Sequence, residues 1–241
     1  MRIFVGTSGY SYKEWRGDFY PGDTQPDGYL AYYASRLPTV EINNTFYRFP
    51  STKLLEGWAA QVPADFTFAV KAPGQITHQK RLKNVGDLVR DLFVNLRTMG
   101  SKLGPVDFQL PPNFKKDMPR LRDFLAAVPR DARAVMEFRH PSWFDDEVYA
   151  TLKEFGVALC IAESDDLEAA GADKDDLSAP LVATTNWGYL RLRRSDYGEA
   201  ELKAWGERVR SQAWEQVHVF IKHEAVQSPL LAVKLKELLA G

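Results

Sequence analysis

The chain has 241 residues and a mass of 27.3 kDa, near the roughly 250 residues of one (β/α)8 barrel domain. Its 31 basic and 32 acidic residues give a formal net charge of -1, so no overall field attracts polyanions. This balance argues against a general nucleic-acid binder but leaves a nucleic-acid ligand open. With 45% hydrophobic and 26% charged residues, the composition excludes global disorder and is typical of a globular protein.

The first residues and the cysteine content bear on location. MRIFVGTSGYSY reaches glycine and polar residues too early for the apolar core of a signal peptide, and no run approaches the roughly 18 apolar residues of a membrane span. Cys160 is the only cysteine, which excludes intrachain disulfides and thiolate-cluster metal sites. We therefore expect a cytoplasmic protein that does not bind membranes. Its oligomeric state is left open.

Eight short apolar runs, rich in β-branched and aromatic residues, have the character of strands buried on both faces. They cover residues 2–8, 39–44, 66–72, 105–110, 133–140, 157–163, 188–193 and 216–223. Amphipathic stripes with helical spacing lie between most of them. The clearest stripes are formed by Val85, Leu88, Leu92, Leu96 and Met99, and by Leu121, Phe124, Leu125 and Val128. Ser51, Asp117 and Ser228 are predicted helix N-caps.

A strand followed by a helix, repeated along the chain, predicts a parallel sheet with right-handed crossovers. Eight repeats favour a closed barrel, whereas an open doubly wound sheet usually has five or six strands and a glycine-rich first turn. We therefore predict an α/β fold with a single (β/α)8 TIM-type barrel domain over residues 1–241. The sixth unit is expected to be irregular, because residues 164–185 are acidic and poor in apolar side chains.

Polar side chains crowd the predicted carboxyl ends of the strands, where such barrels place their reactive groups. They are Glu41, Asn43, Asn44, Lys71, Gln109, Glu137, Arg139, His140, Glu163, Arg191, Arg193, Lys222 and His223. Residues two apart on a strand share a face, so Glu137 and Arg139 point to the same side. Met136 and Phe138 suit the helix layer, which orients Glu137 and Arg139 inward. The same rule pairs Glu41 with Asn43, and Arg191 with Arg193.

The predicted inward set contains five bases and three acids. These are Lys71, Arg139, Arg191, Arg193 and Lys222 against Glu41, Asp107 and Glu137. A locally cationic pocket would suit a small anion or phosphate, although the same charges could simply pair to complete a structural layer. Glu41 and Glu137 could divide acid and base roles if their environments separate their pKa values. Asp107 is expected to pair with an inward Lys or Arg, because a buried carboxylate needs a partner.

Other candidate residues each have two interpretations. Lys71 could form a Schiff base, or it could bind an anion or a salt-bridge partner. His78, in the loop after the third strand, could be an acid or base or an ordinary surface histidine. His140 and His223 could join Glu163 as metal ligands, but no HExxH-like spacing exists, so no metal site is predicted. The sequence names no cofactor.

The loop after the first strand is rich in aromatic residues. Tyr10, Tyr12 and Trp15 could wall a ligand cavity, or they could form a hydrophobic lid packed on the barrel. Its GTSG segment matches neither a Walker loop nor GxGxxG, so the loop does not predict nucleotide binding.

Five blocks in order, GTSGYSYKEWRGDFYP, VEINNTFYRFP, FAVKAP with ITHQKRL, LGPVDFQLPP and MEFRHPSWF, resemble the YecE-like family, known as domain of unknown function 72. The resemblance spans nearly the whole chain and implies a TIM-type barrel, with no established reaction. It implies a pocket near Glu41, Asn43, Asn44, Phe46, Tyr47, Lys71, His78, Gln109, Glu137, Arg139, His140, Ser142 and Trp143. The chain departs from the family at Arg193-Arg194, at Lys222-His223 and at Asp107, so its substrate could differ.

Together these features predict an enzyme that acts on a small anionic metabolite, phosphorylated or sugar-like. Glu41, Glu137 and His78 are the candidate catalytic residues. Lys71, Arg139 and Arg191 would hold the anion, and further substrate contacts are expected from Tyr10, Trp15, Asn43, Asn44, Tyr47, Gln109, His140, Trp143 and Lys222. The alternatives are a metal-dependent phosphodiesterase or nuclease barrel, and a non-enzymatic binding protein on the same scaffold.

Overall fold

The computed structural model describes residues 1–163, 179–194, 197–222 and 226–240. Within these ranges, eight parallel strands form one sheet in the order β1-β8-β7-β6-β5-β4-β3-β2. The strands are β1 (Arg2–Thr7), β2 (Thr39–Ile42), β3 (Thr67–Lys71), β4 (Leu103–Gln109), β5 (Ala134–Glu137), β6 (Ala158–Glu163), β7 (Trp187–Leu192) and β8 (Gln216–Ile221). A bridge between Ser8 and Glu41 joins the two edges of the sheet. The predicted TIM-type barrel is confirmed.

Helices surround this sheet and follow its strands in the order predicted from the apolar stripes. In the described ranges they are α1 (Tyr29–Arg36), α2 (Thr52–Ala60), α3 (Gly86–Leu96), α4 (Met118–Ala127), α5 (Asp146–Phe155), α6 (Glu199–Arg210) and α7 (Ser228–Ala240). Ser51 and Asp117 cap α2 and α4 as predicted, each accepting a backbone N–H. Ser228 instead is the first residue of α7, one position beyond a cap. None of these helices has the length and apolar character that a membrane span requires.

The core has two layers, because strands buried on both faces alternate between the barrel interior and the helices. Met136 packs in the outer layer with the helices, while Val135 belongs to the interior cluster. That cluster consists of Ala69, Val135, Ala158, Cys160, Tyr189 and Phe220. The inward orientation predicted for Glu137 follows, since Glu137 lies two residues beyond Val135. The next inward-facing layer, towards the carboxyl ends of the strands, is polar and includes Glu137 and Arg191.

Seven of the eight predicted strands end earlier than expected, and the difference is largest at β2, β5 and β8. β2 ends at Ile42 and β5 at Glu137, so Asn43, Asn44, Arg139 and His140 belong to the loops that follow. The irregular sixth unit was expected over residues 164–185, of which 164–178 lie outside the described residues. His223 lies outside them as well.

Candidate functional site

A cavity of about 370 Å³ opens at the carboxyl end of the barrel. We call it the rim cavity; it is lined by Ser8, Asn43, Phe46, Tyr47, Lys71, His78, Gln109, Arg191, Arg193 and Lys222. Four of these side chains are Lys or Arg, and the described lining includes no Asp or Glu. The predicted substrate contacts Asn43, Tyr47, Lys71, Gln109, Arg191 and Lys222 are therefore brought together here. So is His78.

Arg191 forms the floor of the rim cavity and is held by two carboxylates. Its Nη1 lies 2.5 Å from Glu137 Oε2, its Nη2 donates to Glu41 Oε2 at 2.9 Å, and its Nε lies 2.9 Å from Glu41 Oε1. Tyr189 also donates its hydroxyl to Glu41 Oε1, at 2.7 Å. Glu41 and Glu137 are completely buried below the cavity. They fix the position of Arg191 and are not part of the cavity wall.

The same network extends to Lys71 through a glutamine. Gln109 donates to Glu137 Oε1 at 2.6 Å and accepts from Lys71 Nζ at 2.9 Å. The Lys71 ammonium also lies 4.8 Å from the centre of the Phe46 ring, which favours a cation electrostatically. Burial and the charge of Arg191 lower the pKa of Lys71. Lys71 is thus a partly desolvated cation in the cavity wall.

Glu41 and Glu137 are both held in the ionised form. Burial is the largest effect and would raise the pKa of each carboxyl, but the charge of Arg191 and the other neighbouring cations and donors together lower it at both. The Tyr189 hydroxyl adds to this effect at Glu41, and Arg193 adds to it at Glu137. Two carboxyls can divide acid and base roles only if their pKa values differ widely. Here both pKa values are lowered, so this pair lacks that difference.

Asp107 faces the barrel interior as predicted but does not pair as predicted. It is completely buried, and neither carboxyl oxygen has a hydrogen-bond partner among the described residues. Burial and the neighbouring charge of Glu137 raise its pKa well above the ordinary value. The expected direct pair with Lys or Arg was wrong, because the nearby cations are already engaged by Glu41, Glu137 and Gln109.

His78 lies on a short π-helical turn, Gln75–Gln79, that follows β3. Its Nδ1 is 2.9 Å from the Thr77 hydroxyl, and its ring meets the Phe46 ring edge-on at 4.8 Å. Partial burial, followed by the charges of Lys71 and Arg139, lowers its pKa. The imidazole is therefore neutral at physiological pH, with its orientation set by Thr77 and Phe46.

A second cavity of about 210 Å³ adjoins the first and shares Asn43 with it. It is lined by Gly9, Tyr10, Ser11, Tyr12, Ile42, Asn43 and Asn44. Gly9 has a φ of 91°, and a Cβ there would lie 2.3 Å from the Tyr12 hydroxyl oxygen, so only glycine lets Tyr12 fold over this loop. Tyr10 and Asn44, both predicted substrate contacts, line this smaller cavity and not the rim cavity.

Trp15 and Trp143 were predicted substrate contacts, but both are buried and neither lines the rim cavity or the smaller cavity. Trp15 is buried among Tyr12, Phe19 and Tyr20, so this part of the first loop packs on its own barrel. Trp143 is fully buried and donates its indole N–H to the Phe114 carbonyl at 2.6 Å. Both indoles fill the core beneath loops because apolar burial stabilises them there.

Arg139 and His140 do not line the rim cavity. Arg139 is half-buried and acts through its charge, which contributes to the lowered pKa values of Glu137 and His78. His140 Nδ1 accepts the Ser142 backbone N–H at 3.1 Å and caps a short turn. His140 lines neither cavity, and its role as a substrate contact stays a prediction.

Among the described residues, no group of three His, Cys, Asp or Glu side chains could hold a metal ion. Glu163, one of the three suggested ligands, accepts from the Tyr197 hydroxyl at 2.8 Å and the Trp205 indole at 3.0 Å. Its carboxylate is thus oriented by these two donors. His223, the third suggested ligand, lies outside the described residues.

Sequence reasoning overlooked Tyr189 and Ser8. Tyr189 lies two residues before Arg191, so the alternation that turned Arg191 inward also predicts an inward Tyr189. Ser8 follows β1 directly and lines the rim cavity. Each was overlooked because only charged and amide side chains were sought at the strand ends.

The parallel barrel and the polar cavity at its carboxyl end define a TIM-type barrel protein. The sequence profile of the family described as "Protein of unknown function DUF72" matches residues 4–241, and the chain belongs to this family. The resemblance inferred from the five sequence blocks is thereby confirmed.

Relatives and solved structures agree with this assignment. The UPF0759 protein YecE of Escherichia coli is 29% identical over 174 residues, which cover 70% of this chain and 61% of YecE. The UPF0759 protein YunF of Bacillus subtilis is 28% identical over 161 residues, covering 64% and 56% respectively. The matched regions thus span about three fifths of these relatives. The crystal structure of the DUF72 family protein TM1631 from Thermotoga maritima is similar over 100% of both chains, with a TM-score of 0.86 and 26% identity.

Proposed function

We propose that this protein is an enzyme that binds a small anionic metabolite in the rim cavity. The observation that carries this proposal is the lining itself: four cationic side chains and, among the described residues, no carboxylate. Arg191 contacts Glu41 and Glu137, and Arg193 lies 3.8 Å from Glu137, so these two cations and Lys71 and Lys222 outnumber the two buried carboxylates around the opening. A phosphate or carboxylate group is the ligand that such a set of donors recognises.

His78 is the group we propose for proton transfer. It lines the cavity, is neutral at physiological pH and has a fixed orientation, which are the properties of a general base. Glu41 and Glu137, the other catalytic candidates, are proposed to act by holding Arg191 for contact with the substrate. Gln109 orients Lys71 in the same way.

The ligand is proposed to be phosphorylated and sugar-like. The smaller cavity presents the amides of Asn43 and Asn44, the Ser11 hydroxyl and the ring of Tyr10. Amide and hydroxyl groups pair with sugar hydroxyls, and a tyrosine ring packs on the C–H face of a sugar. Because the two cavities share Asn43, a sugar phosphate could place its phosphate in the rim cavity and its sugar beside Tyr10.

The cytoplasmic location and the single domain over residues 1–241 stay predictions.

Thermal shift with a panel of anions tests this proposal. Sulfate, inorganic phosphate and a set of sugar phosphates are each expected to raise Tm, and sugar phosphates are expected to raise it most. Arg193→Gln and Lys222→Gln should each weaken the effect. Arg90→Gln is the matched control, because it removes one positive charge from the exposed surface of α3.

Two results would count against the proposal. If no anion raises Tm, the rim cavity is not an anion site. If Arg90→Gln reduces the effect as much as Arg193→Gln does, the response reflects overall charge. An enzyme is distinguished from a binding protein by an activity assay. If a stabilising sugar phosphate is converted, as monitored by phosphorus NMR, and the conversion is lost in His78→Gln, the protein is an enzyme.

A further inference from the structure

We infer that Asp107 is a positioning residue whose buried carboxyl is protonated when a small anion binds beside Lys71, so that binding of the anion is linked to a proton in the barrel interior. This inference rests on the proposed anion site. It adds to that site a proton linkage through a residue that does not touch the ligand.

The geometry around Asp107 differs from that of the other two buried acids. Glu41 and Glu137 both contact Arg191, while both Asp107 oxygens lack a hydrogen-bond partner among the described residues. Asp107 is also the register partner of Lys71 on the neighbouring strand. An ionised carboxylate without hydrogen bonds is strongly disfavoured in such a site, and protonation removes the charge.

The charges that face Asp107 lead to the same conclusion. They come from β2 (Glu41), β3 (Lys71), β5 (Glu137) and β7 (Arg191), and the ionisable groups of Cys160 on β6 and Tyr189 on β7 are buried nearby. An ionised Asp107 would make three carboxylates against two cations, Lys71 and Arg191, among the groups that act most strongly on it. Arg193 lies farther out, where its guanidinium is 3.8 Å from Glu137 Oε1.

The state of Asp107 determines what Lys71 offers to a ligand. When Asp107 is neutral, the charge of the Lys71 ammonium is directed to the rim cavity. When Asp107 ionises at higher pH, a carboxylate beside Lys71 competes with the ligand for that charge. An anion must therefore bind the protonated form more tightly, and by reciprocity a bound anion must favour proton uptake at Asp107.

Sulfate is the probe for this linkage, because it does not titrate near neutral pH and any pH dependence then belongs to the protein. The wild type and Asp107→Asn are titrated with sulfate calorimetrically, in two buffers of different ionisation enthalpy, over a series of pH values. We expect the wild-type Kd to rise by up to about tenfold per pH unit above the pKa of Asp107, with proton uptake on binding. Asp107→Asn, which is neutral at every pH, should keep only the pH dependence and proton uptake that Lys71 and His78 contribute, so its slope should be smaller than that of the wild type.

His78 also lines the cavity and could take up a proton, so His78→Gln is the matched control. The pH dependence assigned to Asp107 should persist in His78→Gln. Equal pH slopes in the wild type and Asp107→Asn would overturn the inference and leave the anion site standing. Sulfate binding that loses its slope only in His78→Gln would also overturn it. If sulfate does not bind either protein, the anion site itself fails, and the inference fails with it.

A measurement without ligand tests the neutral state directly. A carboxyl whose pKa is raised on folding destabilises the protein as pH rises from the unfolded value of about 3.9 through the folded value. The free energy of unfolding of Asp107→Asn should therefore increase relative to wild type across that range. Parallel curves for the two proteins would mean that Asp107 has no raised pKa, and would overturn the inference whatever sulfate does.

Discussion

Replacing Arg191 with methionine should destabilise this protein more than the loss of any exposed ion pair, because it leaves two buried carboxylates without the cation that they share. Arg191 contacts Glu41 and Glu137 at 2.5 to 2.9 Å, and neither acid is more than 1% exposed. Methionine preserves much of the side-chain volume while removing the charge and every donor. The change therefore isolates the electrostatic role of the guanidinium.

The expected cost follows from the burial of these groups. Removing one partner of a buried ion pair costs about 3–5 kcal/mol, because an uncompensated charge remains. That is a large part of the roughly 5–15 kcal/mol that stabilises a folded protein. For a chain of this length it corresponds to a fall in Tm of about 6–20 °C. Part of the loss should be recovered when Glu41→Gln and Glu137→Gln accompany Arg191→Met, since the stranded charges are then absent.

Urea unfolding of Arg191→Met, of the triple variant and of Arg97→Met provides the measurement. Arg97 pairs with Asp131 on the surface, where the two side chains are 55% and 73% exposed. Loss of that pair should cost less than about 1 kcal/mol. If Arg191→Met costs no more than Arg97→Met, the reasoning about the buried network is refuted. A triple variant that is less stable than Arg191→Met would contradict the charge argument in particular.

Three further substitutions probe the same region. Tyr189→Phe removes the hydroxyl that donates to Glu41. The free energy of unfolding, measured with urea, should fall by about 1.5–3 kcal/mol, as for a hydrogen bond to a charged group. An unchanged free energy would mean that this hydrogen bond does not stabilise the fold. Trp143→Ala should cost about 3–5 kcal/mol while sulfate still binds, because this indole fills core and not cavity; loss of sulfate binding in the folded variant would speak against that. Glu41→Gln addresses pH dependence. A carboxyl with a lowered pKa stabilises the fold above about pH 4.3 and loses that contribution as pH falls, so the Tm gap between wild type and Glu41→Gln should narrow on acidification; a constant gap would exclude a lowered pKa.

The barrel could be predicted because parallel strands buried on both faces leave a strong apolar signal, and helices with one apolar stripe separate them. The inward orientation of Glu137 followed from its neighbours in the same way, since Met136 required the helix layer. Element ends were less certain. Asn43 and Arg139 lie beyond their strands, where alternation no longer determines direction.

The site was predicted as a location more fully than as a set of roles. Alternation fixes which face a side chain occupies but not how deep it lies, so Glu41 and Glu137 were expected in the pocket wall and instead lie beneath it. Glu41, Glu137 and Asp107 could each have paired with Arg191, and the sequence does not show which of them lie close enough. In the structure Glu41 and Glu137 contact Arg191 and Asp107 does not. Trp15 was predicted as a contact from the aromatic first loop and Trp143 from the family resemblance, and neither signal shows how deep a side chain lies. Their neighbours in space are core aromatic residues and loop backbone.

Anomalous diffraction from crystals soaked in selenate tests most directly whether the rim cavity is an anion site. Selenate has the shape and charge of sulfate, and selenium can be located by its anomalous signal. We predict a peak in the rim cavity within hydrogen-bond distance of Lys71, Arg193 or Lys222, and its loss in the Arg193→Gln, Lys222→Gln double variant. A rim cavity without a peak, in crystals that bind selenate elsewhere, would contradict the proposed function.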